Sequence, residues 1–225
     1  KYNDAPATMT QDATTQFYGT GGKKDNLVGT GGADGLWGGD GDVMTGGAGN
    51  DTYFVKSPLD QVVELAGGGT DRIVTWMSLD LSKFAQVENL IVSGNNLFAR
   101  GNDLDNIIEG GNGGQEIYGG RGLDVLLGGA GADTFVVIKG EGNDVITDFS
   151  AAEDRIRLSA DLTKFQDVQA RLTQVGADVR LDMGGGDILT LRNVNAGDLT
   201  AKNFQLEMND SHLGKLTFSD EFTGP

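Results

Sequence analysis

No cysteine and only one histidine occur among the 225 residues. Without cysteine the chain forms no disulfide, which suits a secreted bacterial protein and equally suits a cytosolic one. No stretch reaches the ~18 apolar residues that a membrane-spanning helix needs, so none is predicted. Residues 1–18 are polar and show no signal peptide, and the character of both ends predicts a fragment of a longer chain.

The usual catalytic motifs are missing as well. The histidine, His212, has no nucleophile arranged with it as in a catalytic triad. No His-Glu-x-x-His run could hold a catalytic zinc, and no glycine-rich stretch closes with Lys-Ser or Lys-Thr as a phosphate loop does. We assign no catalytic residue, and the sequence leaves open whether the chain is part of an enzyme.

Negative charge and glycine dominate the composition. There are 33 acidic and 17 basic residues, a formal net charge of −16, which excludes a general affinity for nucleic acid. Glycine, with 37 copies, loses more conformational entropy on folding than any other residue. The two features predict a chain that stays disordered until cations neutralise its acidic clusters, so that metal binding supplies folding free energy.

A nine-residue unit, Gly-Gly-x-Gly-x-Asp-x-apolar-x, recurs in two blocks. Close copies begin at Gly29, Gly46, Gly119 and Gly128. A flexible linker has no reason to place an apolar residue two positions after each Asp, whereas a stacked β-coil does. The eighth residues of the four units are predicted to point into the coil: Leu36, Tyr53, Leu126 and Phe135.

The unit combines a turn with a short strand. Six residues turn, and glycines there permit positive φ angles and close approach of the backbone to an ion. Three residues run straight, with alternating side-chain directions. Two units make one coil, so turns two units apart stack and bring a carboxylate from each turn together with main-chain carbonyls. Such an oxygen cage, with about six to eight ligands, suits Ca²⁺.

In the first block, the alternate-turn rule pairs Asp34 with Asp51 and Asp25 with Asp42. The unit of Asp25 has one residue too many and the unit of Asp42 has only eight, so both of these carboxylates are displaced from the regular position.

In the second block, Asp124 is expected to pair with Asp144. Asp133 is expected to pair with the turn of Gln115 or with Asp148. Gln115 stands where Asp is expected, and its amide oxygen is a weaker, uncharged ligand. The complete set of predicted calcium ligands is Asp25, Gly29, Gly31, Ala33, Asp34, Asp42, Gly47, Gly49, Asp51, Gly120, Gly122, Asp124, Gly129, Gly131, Asp133, Asp144 and Asp148.

These repeats resemble those of the RTX (repeats-in-toxin) family. The resemblance implies an all-β fold, namely a right-handed parallel β-roll or β-helix in two repeat blocks with an intervening β-coil and a C-terminal β-rich cap. It also implies several bound calcium ions, export through a type I secretion machinery and an extracellular location.

The predicted organisation has six parts. They are a linker or N-terminal cap at 1–18, the first block at 19–55, a connecting β-coil at 56–100, the second block at 101–149, the cap at 150–208, and a linker with the possible start of a hydrolase domain at 209–225. The connecting coil is expected to have wide, calcium-free turns and a helical turn at Ser78–Ser82. The cap is expected to hold a helix over Ser159–Gln174 and a hairpin turn at Gly184–Asp187.

The last stretch, Lys215–Pro225, resembles the first strand of family 16 glycoside hydrolases, which are β-jelly-roll endoglucanases. The catalytic Glu-x-Asp-x-x-Glu strand of that family is absent, so we assign no hydrolysis to these residues.

Two functional hypotheses follow. In the first, the chain is a calcium-dependent folding and secretion module of an extracellular polysaccharide-degrading enzyme. In the second, it is a glycan-binding or adhesin module similar to those of alginate epimerases, with Trp37, Trp76 and surface arginines contacting an acidic polysaccharide. A pore-forming toxin is disfavoured because no amphipathic membrane segment is present.

Overall fold

Short strands separated by tight turns make up nearly all the regular structure of this chain. The computed structural model describes residues 15–20 and 22–207, which form stacked parallel coils, a β-solenoid of about eight turns. The predicted all-β fold is thereby confirmed. His212 and the hydrolase-like stretch predicted within 209–225 lie outside the described residues, as does most of the predicted N-terminal linker.

The first half of the coil contains strands of two to four residues. In chain order they are β1 (Thr15–Tyr18), β2 (Asn26–Val28), β3 (Asp34–Trp37), β4 (Val43–Thr45), β5 (Thr52–Val55), β6 (Gln61–Val63), β7 (Arg72–Thr75), β8 (Leu79–Asp80), β9 (Asn89–Val92) and β10 (Phe98–Arg100).

The second half continues the same alternation and then adds longer strands near the carboxyl end. In chain order they are β11 (Ile107–Glu109), β12 (Glu116–Tyr118), β13 (Val125–Leu127), β14 (Thr134–Ile138), β15 (Val145–Ile146), β16 (Arg155–Ser159), β17 (Leu172–Val175), β18 (Asp178–Gly184), β19 (Asp187–Leu191) and β20 (Phe204–Glu207).

Successive strands of the coil lie on opposite faces. One face is an eleven-stranded sheet, here the long sheet, with the order β1-β3-β5-β7-β9-β11-β13-β15-β19-β18-β17. The opposite face is divided into a three-stranded sheet, β2-β4-β6, and a six-stranded sheet, β8-β10-β12-β14-β16-β20. Neighbours in the long sheet pair in parallel from β1 as far as β19. One strand from each face therefore makes one coil.

The core is a ladder of apolar side chains that stack in register inside the coil. On the long sheet Leu36 pairs with Tyr53 and Tyr53 with Ile73, and on the opposite face Ile117 pairs with Phe135. The long-sheet ladder consists of Leu36, Tyr53, Ile73, Leu90, Ile108, Leu126 and Ile146, each with no exposed surface. The predicted inward direction of the eighth residue in the four regular units is confirmed.

The connecting segment continues the coil. This segment contains β6, β7 and β9, and the long sheet passes through without a break. The opposite face is interrupted between β6 and β8, which separates its two sheets. At Ser78–Ser82 the structure has β8 followed by a 3₁₀ turn, Leu81–Lys83, whose start is capped by Asp80 accepting from the Ser82 N–H at 2.8 Å.

The cap corrects one prediction. A helix over Ser159–Gln174 is wrong, since only Phe165–Gln169 is helical, as α1. Ser159 ends β16, which is held on both sides by β14 and β20, and residues from Leu172 onward pair with β18 in an antiparallel hairpin. Strand pairing on both flanks overrides the weak helical spacing. The predicted hairpin turn at Gly184–Asp187 joins β18 and β19 as expected.

Short 3₁₀ turns at Ala196–Asp198 and Ala201–Asn203 lead into the last strand.

No helix in the described ranges is long and apolar enough to cross a membrane. The boundaries of the blocks, connecting coil and cap stay a prediction.

The ladder predicts a large cost for truncating one of its side chains. Leu126→Ala should lower the free energy of unfolding by about 2–5 kcal/mol, because it leaves a cavity in a core that is closely packed. Urea denaturation in saturating calcium measures this. Leu123→Ala is the matched control, since Leu123 lies in the preceding turn and is 56% exposed. An equal loss in both variants would contradict the ladder.

Candidate metal centre

Two rows of polar side chains run along the two edges of the solenoid, where each turn leads into a strand. The first row lies where the turns enter the strands of the long sheet and consists of Asp34, Asp51, Asp71, Asn106, Asp124 and Asp144. The second row precedes the strands of the opposite face and consists of Asp25, Asp42, Asp60, Gln115, Asp133 and Asp154. All but Asp25 are buried.

In the first row, several backbone N–H groups donate to the carboxylate one coil further on. The N–H of Asp34 donates to Asp51 Oδ1, and that of Asp51 donates to Asp71 Oδ1, both at 2.8 Å. The N–H of Asp124 donates to Asp144 Oδ1 at 3.2 Å. The structure therefore brings the predicted partners Asp34 and Asp51, and Asp124 and Asp144, onto adjacent coils of the same edge.

The second row follows the same rule. The N–H of Asp25 donates to Asp42 Oδ1 at 2.8 Å, and that of Asp42 donates to Asp60 Oδ1 at 3.0 Å. Asp133 accepts from the Gln115 N–H at 2.7 Å. The pairing of Asp25 with Asp42 and the placing of Asp133 beside Gln115 are as expected.

Asp148 lies beside the turn that leads to Asp133, as its predicted pairing requires, but outside the row. It accepts from the N–H groups of Gly128 and Gly129 at 2.9 and 2.8 Å, so it holds the backbone of a neighbouring turn. The residue that follows Asp133 in its row is Asp154, whose Oδ1 accepts the Asp133 N–H at 2.9 Å.

One oxygen of several row carboxylates remains without a protein partner. These buried atoms are Asp34 Oδ1, Asp42 Oδ2, Asp51 Oδ2, Asp124 Oδ2 and Asp133 Oδ2. A buried polar atom that is left unpaired costs about 1–3 kcal/mol, and more when it is charged. The amide oxygen of Gln115 is unpaired in the same way. Buried oxygens with unused lone pairs are the donor set expected of a calcium site, and the residues present fit that ion.

The first glycine of each regular unit provides room for the carboxylate of the same unit. A Cβ at Gly29 would lie 2.7 Å from Asp34 Oδ2, and a Cβ at Gly119 or Gly128 would collide with Asp124 or Asp133. Side-chain atoms do not approach this closely, so the carboxylate occupies space that only glycine leaves open.

The other predicted ligands of the turns lie where stacked backbones meet. Gly120 and Gly122 have φ angles of 97° and 130°, a region that favours glycine. A Cβ at Gly122 would lie 2.5 Å from the carbonyl oxygen of Leu104 on the adjacent coil. Carbonyl oxygens therefore line the contact between turns. The remaining predicted turn residues precede β3, β5 and β14 and are Gly29, Gly31, Ala33, Gly47, Gly49, Gly129 and Gly131.

A group of three acids joins the first block to the connecting segment, in which the sequence predicted turns without calcium. Oxygen atoms of Asp51, Glu64 and Asp71 lie within 4.8 Å of one another and could hold a metal ion. Glu64 and Asp71 were not predicted as ligands. For Asp71 the available signal was the Asp-x-apolar spacing, which recurs at Asp71–Ile73 after the three glycines Gly67–Gly69, and without such a run at Asp60 and Asp154.

Burial raises the pKa of these carboxyl groups. It raises the pKa of Asp51 and Asp133 to about 6 and the pKa of Asp71 and Asp124 to about 7, with neighbouring carboxylates adding to the shift. A carboxyl group with a raised pKa in the folded state destabilises the fold increasingly as the pH rises from about 4 to about 7. At neutral pH the fold therefore benefits from a cation that neutralises them.

A separate groove of about 750 Å³ crosses the outer surface of the long sheet. Trp37 stacks on Phe54 there, with ring centroids 3.4 Å apart, and the Lys56 ammonium lies 5.3 Å from the centre of the Trp37 ring. Trp76 and Arg72 also line the groove. The two tryptophans that the sequence singled out thus share one surface.

Curated relatives match this chain over nearly its whole length. Endo-1,3-1,4-β-glycanase ExsH of Rhizobium meliloti (strain 1021) is 45% identical over 214 residues, covering 93% of this chain and 45% of that protein. Endo-1,3-1,4-β-glycanase EglC of the same strain is 40% identical, with the same coverage. This chain therefore spans less than half the length of these relatives.

Among solved structures, extracellular lipase LipA from Serratia marcescens matches with a TM-score of 0.41 and 18% identity, over 81% of this chain and 40% of that one. No protein-family model matches the chain. The stacked parallel coils and the glycanase-named relatives fit an RTX-like β-roll.

The space that Gly119 leaves for the Asp124 carboxylate gives a prediction about calcium affinity. Gly119→Ala should weaken calcium binding at least ~10-fold, a loss of about 1.4 kcal/mol, because the new Cβ displaces the Asp124 carboxylate. Isothermal titration calorimetry measures the affinity. Gly31→Ala is the matched control, since alanine keeps the main-chain carbonyl through which Gly31 is a predicted ligand and its Cβ would have no atom within 4 Å. Unchanged binding in Gly119→Ala would show that the carboxylate is not a ligand.

Proposed function

We propose that this chain is a calcium-dependent folding module, an RTX β-roll, of an extracellular polysaccharide-degrading enzyme that leaves the cell through type I secretion. The observation that carries the proposal is the set of buried carboxylate oxygens without partners along both edges of the coil. Two curated relatives named as glycanases support the association with a polysaccharide-degrading enzyme.

Calcium is the ion that the ligands favour. The described rows offer carboxylate, amide and carbonyl oxygens, and the sequence has no cysteine to provide a soft ligand. Hard oxygen donors in flexible turns suit Ca²⁺, whereas Mg²⁺ demands a tighter octahedral arrangement and keeps its water. In the first row Asp34 and Asp51 would hold one ion, and Asp124 and Asp144 another. When bound, calcium supplies the positive charge that permits stacked carboxylates to be buried together.

The same ions would decide when the chain folds. Without them, each added coil places another carboxylate beside those already buried, on a chain whose net charge is −16. Metal binding to a site that exists only in the folded state contributes its free energy to folding. Extracellular modules bind calcium in the range of about 10⁻⁴–10⁻³ M. The chain would therefore be exported unfolded from a cytosol poor in calcium and would fold outside.

Circular dichroism with and without calcium tests this function. The β signal should be absent in EGTA, appear when calcium is added in excess, and fail to appear with the same concentration of magnesium. Asp124→Asn should shift the calcium midpoint to higher concentration, because it removes a buried charge. Asp198→Asn, an exposed residue in a cap turn, should leave the midpoint unchanged. A full β signal in EGTA would overturn the proposal.

A second candidate function, the binding of an acidic polysaccharide, is favoured by the groove on the long sheet. Three aromatic rings line it, and Lys56 and Arg72 provide positive charge there beside one carboxylate, Glu109. Aromatic faces and cations together recognise sugar rings that carry carboxylate groups.

Affinity electrophoresis through a gel that contains alginate, in the presence of calcium, tests the groove. The chain should be retarded, and Lys56→Ala should reduce the retardation at least ~2-fold because one attractive charge is lost. Lys83→Ala is the control, since this exposed lysine lies on a 3₁₀ turn away from the groove. Migration that is unaffected by alginate would exclude this second function.

A further inference from the structure

We propose that Asp51, Glu64 and Asp71 form one cation site, which shares Asp51 with the row pair Asp34–Asp51 and binds calcium more tightly than the two-carboxylate sites along the rows. The proposal refines the folding function above by naming the site that fills first. The two row residues precede β5 and β7, which pair directly in the long sheet. Glu64 comes from the chain between them and belongs to no nine-residue unit.

The three carboxylates converge on a small space. One oxygen from each lies within 4.8 Å of the other two. Asp51 Oδ1 accepts the N–H of Asp34 at 2.8 Å, and Asp71 Oδ1 accepts that of Asp51. Backbone donors therefore fix the orientation of two of the three carboxylates in the folded chain.

An unpartnered atom points into this space. Asp51 is 1% exposed, and its Oδ2 has no hydrogen-bond partner. A Cβ at Gly46 would collide both with Asp51 Oδ2 and with the hydroxyl of Tyr53, and that hydroxyl donates to Glu64 Oε1. The free oxygen of Asp51, the Tyr53 hydroxyl and the Glu64 carboxylate therefore share one pocket beside Gly46.

A main-chain oxygen adjoins the same pocket. A Cβ at Gly68 would lie 2.8 Å from the carbonyl oxygen of Gly47 and 3.2 Å from Glu64 Oε2. Carboxylates together with a backbone carbonyl make an all-oxygen donor set of the kind that Ca²⁺ takes.

The charge at this place is the reason for tighter binding. None of the three acids forms an ion pair in the described part of the chain. A fourth acid, Glu88, accepts the N–H of Asp71 at 2.7 Å and adds to the negative potential. Calcium affinity rises with the number of charged ligands and with rigidity, and three carboxylates meet here where a pair of row residues offers two.

Terbium luminescence tests the proposal directly, because Tb³⁺ replaces Ca²⁺ at oxygen sites and a nearby tyrosine sensitises its emission. In the 225-residue chain, the first equivalent of Tb³⁺ should give emission on excitation of tyrosine, and calcium should compete it away. Glu64→Gln should weaken this first binding step at least ~10-fold, while the later steps and the β signal in saturating calcium stay at wild-type values.

Glu116→Gln is the matched control, since it removes the same charge from a carboxylate that pairs with Arg157 at 3.0 Å. Its first step should equal that of the wild-type chain. If Glu64→Gln does not fold in saturating calcium, Glu64→Asp replaces it. This variant keeps the charge but shortens the side chain by one methylene, so it should also weaken the first binding step.

The outcomes separate this inference from the folding function. A first step that is unchanged in the Glu64 variants, on a chain that still needs calcium to fold, overturns only the three-carboxylate site. A wild-type chain that folds in EGTA overturns the folding function, whereas the first terbium step and its loss in Glu64→Gln would still support this site.

Discussion

Like charges stacked at the distance of neighbouring coils are the constraint on which this fold depends. Each edge of the solenoid repeats the same contact, in which the N–H of one acidic residue donates to the carboxylate of the next. That bond uses one oxygen and leaves the other buried beside its neighbours. The apolar ladder inside the coil favours the stacking, and the carboxylates oppose it. Whether the folded state is stable overall therefore depends on what neutralises the carboxylates at the edges.

The core and the edges are linked because the Asp and the apolar residue of each unit are only two positions apart in the chain. In a regular unit Asp124 lies at the edge of the solenoid and Leu126 lies in the core. The strand register that buries one of them therefore buries the other as well. This short spacing explains why the coil persists through the connecting segment, which lacks regular nine-residue units. Asp71 and Ile73 keep the spacing there, and the long sheet passes through unbroken.

Local periodicity was enough to predict the coil, the inward residues and the pairs Asp34–Asp51 and Asp124–Asp144, because strand alternation and turn stacking are properties of neighbouring residues. Glu64 could not be predicted in this way. Its place beside Asp51 depends on the path of a long turn, which no fixed period encodes. The helix expected over Ser159–Gln174 failed for a related reason, since pairing with distant strands outweighed a weak local pattern.

The alternation of successive units between the two edges has a consequence for how such a chain can change in length. Partners within a row are separated by 17 to 21 residues. Because each coil contacts only its neighbours, an added coil of about 18 residues would extend both rows in phase. An insertion of about nine would exchange the edges for everything downstream, moving each later carboxylate to the other side of the molecule. Duplication of whole coils, rather than of single units, is the form of growth that the architecture permits.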